Sequence, residues 1–198
     1  LQLSVCACVR SREGDRESTH CFVHPSAMAS VKVFGSPTST EVARVLASLF
    51  EKEVDFQLIR VDTFKGKKRL PDFLKLQPSG QALTFEHGTT TLLDSRAIIR
   101  YVAEKFPSKE ELLGTGMLER ASIEQWLQTE ANSFDPPSSA LVFNLALPVR
   151  ARFEPEKQEE IRQDKKQLAS VLDIYEQRLL ESKYLAGDRF SLADLSHL

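Results

Sequence analysis

The chain has 198 residues, 41% hydrophobic and 27% charged, and its 26 basic and 28 acidic side chains give a net charge of -2. This length suffices for one large core or two small ones. The balanced charge argues against a nucleic-acid partner, and no apolar run approaches the ~18 residues that a membrane span needs. We therefore expect a protein that handles a small molecule or a protein partner, with no nucleic acid and no membrane.

The first segment, residues 1–27, has a different character and contains all three cysteines, Cys6, Cys8 and Cys21. It shows no helical or strand periodicity, and Met28 opens the first patterned stretch. Its arginines lie among serines, as in a targeting peptide, but nearby acidic residues oppose that reading. The cysteine spacing matches no standard zinc pattern, so we expect no metal. We interpret residues 1–27 as a non-native or disordered leader, and the cysteine-free remainder favours a reducing, cytoplasmic location.

Residues 28–106 carry alternating strand and helix signals. Residues 31–34 predict a strand that ends at a Gly-Ser-Pro turn cluster. A helix follows from about Ser39 to Lys52, with an apolar stripe at helical spacing. Its members are Val42, Leu46, Leu49 and Phe50. Residues 54–61 predict a second strand.

A basic loop and a hairpin come next. The loop Lys65-Gly66-Lys67-Lys68-Arg69 leads to a short helical turn at residues 71–76. Two short strands, 82–86 and 90–93, then meet at His87-Gly88. Residues 94–106 predict a helix whose apolar face includes Ile98, Tyr101, Val102 and Phe106. The order βαβ then ββα combines a parallel crossover with a hairpin, which is the order of the thioredoxin-like α/β fold.

The rest of the chain shows helical periodicity only. Residues 118–134 carry Ile123, Trp126, Leu127, Glu130 and Phe134 at helical spacing, and residues 156–182 carry Ile161, Leu168, Val171, Leu172, Tyr175 and Leu179. Asp135-Pro136-Pro137 between them predicts a break or kink. We expect a linker at residues 107–116 and an all-α C-terminal domain at 117–198.

Four stretches of this sequence resemble plant phi-class glutathione transferases. They are Ser95–Phe106, the Phe-Asp-Pro at 134–136 followed by Leu-Val-Phe at 141–143, residues 168–179, and residues 184–198. In the last stretch, Ser191 and Asp194 form an S-x-x-D capping box. The likeness runs from Met28 to Leu198. It implies the glutathione transferase fold, and it implies that the C-terminal domain is incomplete, because the family continues through further helices.

The resemblance assigns the catalytic role to Ser39. A serine before an amphipathic helix is ordinarily an N-cap, but the phi class keeps its catalytic serine in this turn. A thiol of pKa ~8.5 is only about 3% ionised at pH 7, and lowering that pKa by about two would raise the thiolate roughly 25-fold. One hydroxyl donor and the positive end of a helix can supply this. The neighbouring hydroxyls of Ser36, Thr38 and Thr40 remain alternatives.

The resemblance also implies a set of residues that bind the glutathione tripeptide. Asp94 and Ser95 stand where the family holds the γ-glutamyl ammonium and carboxylate, with Asp94 one methylene shorter than the family's glutamate. They also read as an ordinary helix start. Lys68 and Arg69 stand at the family's glycyl-carboxylate positions, although basic loops are mostly solvated surface.

Gln81 and Ala82 match family positions that contact glutathione. The sequence departs from the family at the next residue. Leu83 replaces a proline whose peptide bond is cis in the family, and a cis bond before leucine would cost about 3–4 kcal/mol. We therefore expect a trans bond there and weaker glutathione binding.

The acceptor substrate is expected to be a hydrophobic electrophile bound between the domains. Phe34, Phe134, Leu141 and Phe143 are the candidates for its pocket, although aromatic residues at helical spacing mostly belong to the core. Glutathione would be a co-substrate, with no cofactor required. The family implies a homodimer and a possible peroxidase side activity. The alternative is a non-catalytic transferase-like protein that carries ligands or mediates interactions.

Overall fold

The N-terminal half is built on a four-stranded mixed sheet in the order β2-β1-β3-β4. Strand β1 pairs in parallel with β2 and antiparallel with β3, which pairs antiparallel with β4. The structure is a computed structural model, and it describes residues 31–61, 83–108, 111–146 and 155–198. The strands are β1 Val31–Gly35, β2 Phe56–Arg60, β3 Thr84–His87 and β4 Thr90–Leu92. The predicted parallel crossover and hairpin are both confirmed.

Two helices pack against each other beside this sheet. Helix α1 covers Thr40–Glu51 and forms the crossover between β1 and β2, and helix α2 covers Ser95–Lys105 after the hairpin. The β3–β4 turn contains Gly88 at φ 60°, a left-handed conformation that glycine adopts without a Cβ penalty. The leader, the Lys65–Arg69 loop and the helical turn at 71–76 lie outside the described residues.

The regular elements described in the second half are all helical, apart from one isolated bridge between Tyr184 and Gly187. The helical elements are α3 Met117–Thr129, a π-helical turn Glu130–Phe134, α4 Asp135–Ala146, α5 Pro155–Glu181 and α6 Leu192–Leu195. The predicted break at Asp135-Pro136-Pro137 takes the form of the π turn. There the Asp135 N–H donates to the Glu130 carbonyl five residues back. Both prolines then fall in the first turn of α4, directly after the π turn, and proline and π turns are the usual causes of a helix kink.

Helix α6 begins at the predicted capping box. The Ser191 hydroxyl accepts from the Ala193 N–H at 3.2 Å, and the Asp194 carboxylate accepts from the Ser191 N–H at 3.0 Å. Asp194 also accepts from the Leu185 N–H at 2.9 Å, which ties the preceding loop to the helix. The predicted capping box is therefore confirmed, and Asp194 also attaches the preceding loop, which the sequence did not predict.

The predicted apolar faces of α1 and α5 are wrong in detail. In α1 the buried apolar residues are Val42, Val45 and Leu49, while Phe50 is 67% exposed and packs edge-on against Phe56. In α2 the predicted face is confirmed, because Ile98 and Val102 are buried and Tyr101 and Phe106 pack half-buried against the core; Ile99 and Ala103 are buried as well. In α5 only Val171 and Tyr175 are buried, whereas Leu172 and Leu179 are 47% and 46% exposed. These faces shift because tertiary neighbours, and not periodicity alone, decide which flank of an apolar stripe is covered.

Candidate functional site

Ser39 lies at the start of α1 as its N-cap residue. Its backbone is extended, at φ −82° and ψ 131°, and its carbonyl accepts from the Ala43 N–H at 2.9 Å. Its side chain is partly exposed and makes no capping hydrogen bond. A capping serine ordinarily uses its hydroxyl to satisfy a helix N–H, so here the hydroxyl remains available beside the positive end of α1.

The two hydroxyls that precede Ser39 are paired with each other. Ser36 Oγ lies 2.8 Å from Thr38 Oγ1, and the Ser39 N–H donates to the Ser36 carbonyl at 3.0 Å in a tight turn that contains Pro37. Among the alternative hydroxyls raised by the sequence, Ser36 and Thr38 thus have each other as partners. The turn itself fixes the backbone from which Ser39 projects.

Asp94 and Ser95 form the start of α2. Asp94 is the N-cap, and its Oδ1 accepts from the Ala97 N–H at 2.7 Å. Ser95 is the first helical residue and is 1% exposed, and its Oγ accepts from Arg44 Nη1 at 2.9 Å. The capping role expected for this pair is therefore observed for Asp94. The Ser95 hydroxyl instead accepts a hydrogen bond from Arg44 of α1.

A buried network of charges lies under these two helix starts. Arg44 on α1 is 2% exposed and donates from Nη2 to Glu130 Oε1 at 3.2 Å. Arg96 on α2 donates to the same carboxylate from Nε at 2.7 Å and from Nη2 at 2.8 Å. Its Nη2 also lies 3.2 Å from Asp135 Oδ2. Burial lowers the pKa of Arg44, whereas the hydrogen bonds to Glu130 raise the pKa of Arg96. Both guanidinium groups stay charged. Because both of them donate to Glu130, the network joins α1 and α2 to the π turn.

Four of the residues assigned to glutathione binding fall outside the described residues. They are Lys68, Arg69, Gln81 and Ala82. Leu83, which replaces the family's proline, is fully buried at the entry to β3. The peptide bond before it begins at Ala82, so its expected trans form stays a prediction.

The acceptor-pocket candidates have different surroundings. Phe134 stacks on Tyr175 at 6.0 Å and meets His197 edge-on at 4.9 Å, as part of an aromatic cluster. Leu141 is buried, Phe34 is half-buried, and Phe143 is 65% exposed. Phe143 lines an open groove of about 330 Å³ between α4 and α5. That groove is bordered mainly by polar side chains of α5, so it is not an apolar pocket shared by the four candidates.

Metal-binding clusters and membrane-spanning helices are both absent from the described residues. Over 31–61, 83–108, 111–146 and 155–198, no three His, Cys, Asp or Glu side chains are grouped so as to hold a metal ion. In the same ranges, no helix combines the length and apolar character needed to cross a bilayer.

The buried pair of Arg44 and Glu130 was not identified as a site from the sequence. Each was visible as a charged residue within an otherwise apolar helical pattern, a placement that is rare unless the charge is paired. Because 86 residues separate the partners, no local pattern connects them. Only the packing of α1 against the π turn shows that they meet.

The chain is similar to known proteins of one family. Residues 29–104 match the family model for the glutathione S-transferase N-terminal domain, and residues 138–198 match that for its C-terminal domain. Glutathione S-transferase F10 of Arabidopsis thaliana is 42% identical over 164 residues, 82% of this chain and 76% of that protein. Glutathione S-transferase 3 of Zea mays is 41% identical over 170 residues, 86% of this chain and 76% of that protein.

Solved structures give the same result. Glutathione transferase F2 from Populus trichocarpa superposes with a TM-score of 0.78 at 53% identity, covering 85% of this chain and 79% of that one. Glutathione S-transferase I bound to lactoylglutathione superposes with a TM-score of 0.74 at 31% identity, covering 84% and 79%. The predicted thioredoxin-like domain with an all-α domain is therefore confirmed, while the boundaries at residues 27, 106 and 116 stay predictions. The chain belongs to the glutathione S-transferase family, among relatives that are plant phi-class enzymes.

Proposed function

We propose that this protein conjugates the thiol of glutathione to hydrophobic electrophiles, and that Ser39 activates the thiol. The observation that carries the role of Ser39 is its hydroxyl, which has no capping partner at the positive end of α1. The family's transferase activity requires a thiolate, and a hydroxyl donor at a helix start is suited to stabilise one.

The reaction is a substitution or addition by sulfur. Glutathione loses its thiol proton to solvent, and the Ser39 hydroxyl donates a hydrogen bond to the thiolate. The thiolate attacks the electrophilic carbon, a carbon–sulfur bond forms, and a leaving group such as chloride departs with its electron pair. Because the donor stabilises the nucleophile before attack, its removal lowers the ionised fraction of glutathione at neutral pH.

The tripeptide would be held at the start of α2 and by the basic loop. The Ser95 hydroxyl and the first N–H groups of α2 suit a carboxylate, and Asp94 suits the γ-glutamyl ammonium. Lys68 and Arg69 would bind the glycyl carboxylate, and Gln81 and Ala82 the remainder of the backbone. Glutathione acts here as a co-substrate, and no cofactor is assigned.

The remaining parts of the proposal follow the family. We infer a cytoplasmic homodimer and a peroxidase side activity toward organic hydroperoxides. Phe34, Phe134, Leu141 and Phe143 remain the acceptor-pocket candidates, with Phe143 the most accessible of them. Neither the described residues nor the comparisons favour the alternative of a non-catalytic ligand-binding protein.

The test is the turnover of Ser39→Ala with glutathione and a chlorodinitrobenzene. We expect a loss of about 10²-fold or more in turnover, as for removal of one aimed donor, with little change in glutathione binding. Thr40→Ala is the matched control, since Thr40 is the adjacent, exposed hydroxyl. Near wild-type turnover in Ser39→Ala would remove Ser39 from the mechanism, and an equal loss in Thr40→Ala would show that the effect is not specific to the Ser39 hydroxyl.

A further inference from the structure

The Ser95 hydroxyl accepts one hydrogen bond and donates none within the described part of the chain. Its oxygen receives the Arg44 Nη1–H at 2.9 Å. Its proton has no acceptor among those residues, and the same holds for the backbone N–H groups of Ser95 and Arg96 at the first turn of α2. Three donors at one helix start are thus left for an anion.

The geometry of Arg44 holds it in a single position. Its Nε donates to the Ser196 carbonyl at 2.7 Å, its Nη1 to Ser95 and its Nη2 to Glu130, so one contact occupies each nitrogen. Arg96 anchors the far side of Glu130. Any rotation about its side-chain bonds would break at least one of these contacts. Because Arg44 is also buried, its guanidinium has little room to move.

We propose that Arg44 is a positioning residue for glutathione, acting through Ser95. A guanidinium that donates to the Ser95 oxygen forces the hydroxyl proton away from α1, and it polarises the O–H group so that it donates more strongly. The ligand it favours is the carboxylate of the γ-glutamyl group. This inference rests on the proposed function, since it concerns how the same substrate is held.

Removal of Arg44 changes what the hydroxyl can do. Without the donor beneath it, the Ser95 oxygen is left to find another partner, and the O–H bond can rotate toward the vacated space. The carboxylate then loses a directed hydrogen bond, but the thiol and its environment at Ser39 are untouched. The effect should therefore appear in glutathione affinity and KM and leave kcat at saturating glutathione unchanged.

The experiment is a double-mutant cycle on Arg44→Met and Ser95→Ala, read by calorimetric titration with S-methylglutathione, which has no ionisable thiol. We expect each single variant to weaken binding about tenfold, and the double variant to bind within about twofold of Ser95→Ala. Steady-state kinetics should show KM for glutathione raised by a similar factor, with kcat unchanged. Arg44→Lys keeps a charge for Glu130 but lacks the three-way fork, so this variant should also bind about tenfold more weakly than the wild-type protein, and it serves as the test if Arg44→Met does not fold.

Arg100→Met is the matched control. Arg100 also lies on α2 and pairs across to the helical half, with Nη2 2.8 Å from Glu124 Oε2, but it does not touch Ser95. Its loss should leave S-methylglutathione binding unchanged. If Ser95→Ala weakens binding but both Arg44 variants bind normally, or if the two effects add, Arg44 does not act through Ser95 while the proposed function stands. If the wild-type protein binds no glutathione, the proposed function and this inference fail together.

Discussion

Glu130 is the buried acid on which two arginines of the N-terminal half depend. It is fully buried, and its carboxylate accepts hydrogen bonds from Arg44 Nη2 and from Arg96 Nε and Nη2. Burying such charges costs several kcal/mol per ion, and good geometry recovers this only while every partner is present. The network is therefore more sensitive to the loss of one member than its net contribution to stability suggests.

Glu130→Gln should lower the free energy of unfolding by about 3–5 kcal/mol, because Arg44 is left as a buried, incompletely compensated charge. Glu124→Gln, which removes the partly exposed partner of Arg100, should cost about 1 kcal/mol or less. Urea unfolding followed by circular dichroism measures both. Equal losses in the two variants would contradict the network as a set of coupled buried charges.

The two ring nitrogens of His197 have partners that suit a neutral imidazole protonated on Nδ1. Its Nδ1 lies 2.8 Å from the Ala193 carbonyl and must donate to it, so its Nε2 accepts from the Tyr175 hydroxyl at 2.8 Å. Burial lowers the pKa of His197, although Glu130 and Asp194 oppose this effect, and burial raises the pKa of Tyr175 to about 12. Protonation of Nε2 would remove the acceptor for the Tyr175 hydroxyl inside the aromatic cluster.

Stability should therefore depend on pH through His197. The folded pKa lies below the ordinary value of 6.5, so between the two values the unfolded chain binds more protons. The contribution is fully present above pH 6.5 and is lost as the pH falls to the folded value, with a slope of up to about 1.4 kcal/mol per pH unit. His197→Gln should flatten the pH dependence of the unfolding midpoint in this interval. An unchanged dependence in the variant would show that His197 does not cause it.

At the scale of elements, local sequence signals predicted more than apolar stripes did. The capping serine of α6, the Asp94 cap of α2 and the hairpin at Gly88 all lie where turn and cap chemistry indicated. The buried faces of α1 and α5 did not follow, because Phe50 and Leu172 lie on flanks that their described neighbours cover only in part. Ser39 was identifiable as a helix start, but the pairing of Arg44 with Ser95 was not, since 51 residues separate them.

The two capping serines should respond differently to alanine. Ser191 accepts a helix N–H and belongs to a full capping box, whereas Ser39 makes no capping bond. Ser191→Ala should therefore lower the free energy of unfolding by about 1–2 kcal/mol, and Ser39→Ala by a few tenths of a kcal/mol at most, by the same measure. Thermal and urea unfolding of the two variants make the comparison. An equal loss in both would mean that Ser39 caps α1 after all.

At the scale of the whole molecule, one continuous core serves both halves. Buried residues of β1, β3, α1 and α2 belong to the same cluster as those of α3, α5 and α6. Between the halves, the Arg44 Nε donates to the Ser196 carbonyl at 2.7 Å. Composition and periodicity indicated two domains, yet nothing in them showed how strongly the domains are joined, because contacts such as those of Arg44 with Glu130 and Ser196 link residues distant in sequence.

The two halves should therefore unfold together. A shared apolar core and buried ion pairs mean that opening either half exposes Arg44 or Glu130 without a partner, which penalises any state with one half folded. The chain has a single tryptophan, and Trp126 packs edge-on against Tyr175 at 5.6 Å in the helical half. Its fluorescence reports that half, and hydrogen exchange of the β1 and β3 amides reports the other. Urea titrations by the two methods should give coincident midpoints in the wild-type protein, and a sheet that exchanges at clearly lower urea than the tryptophan transition would show that the halves are independent.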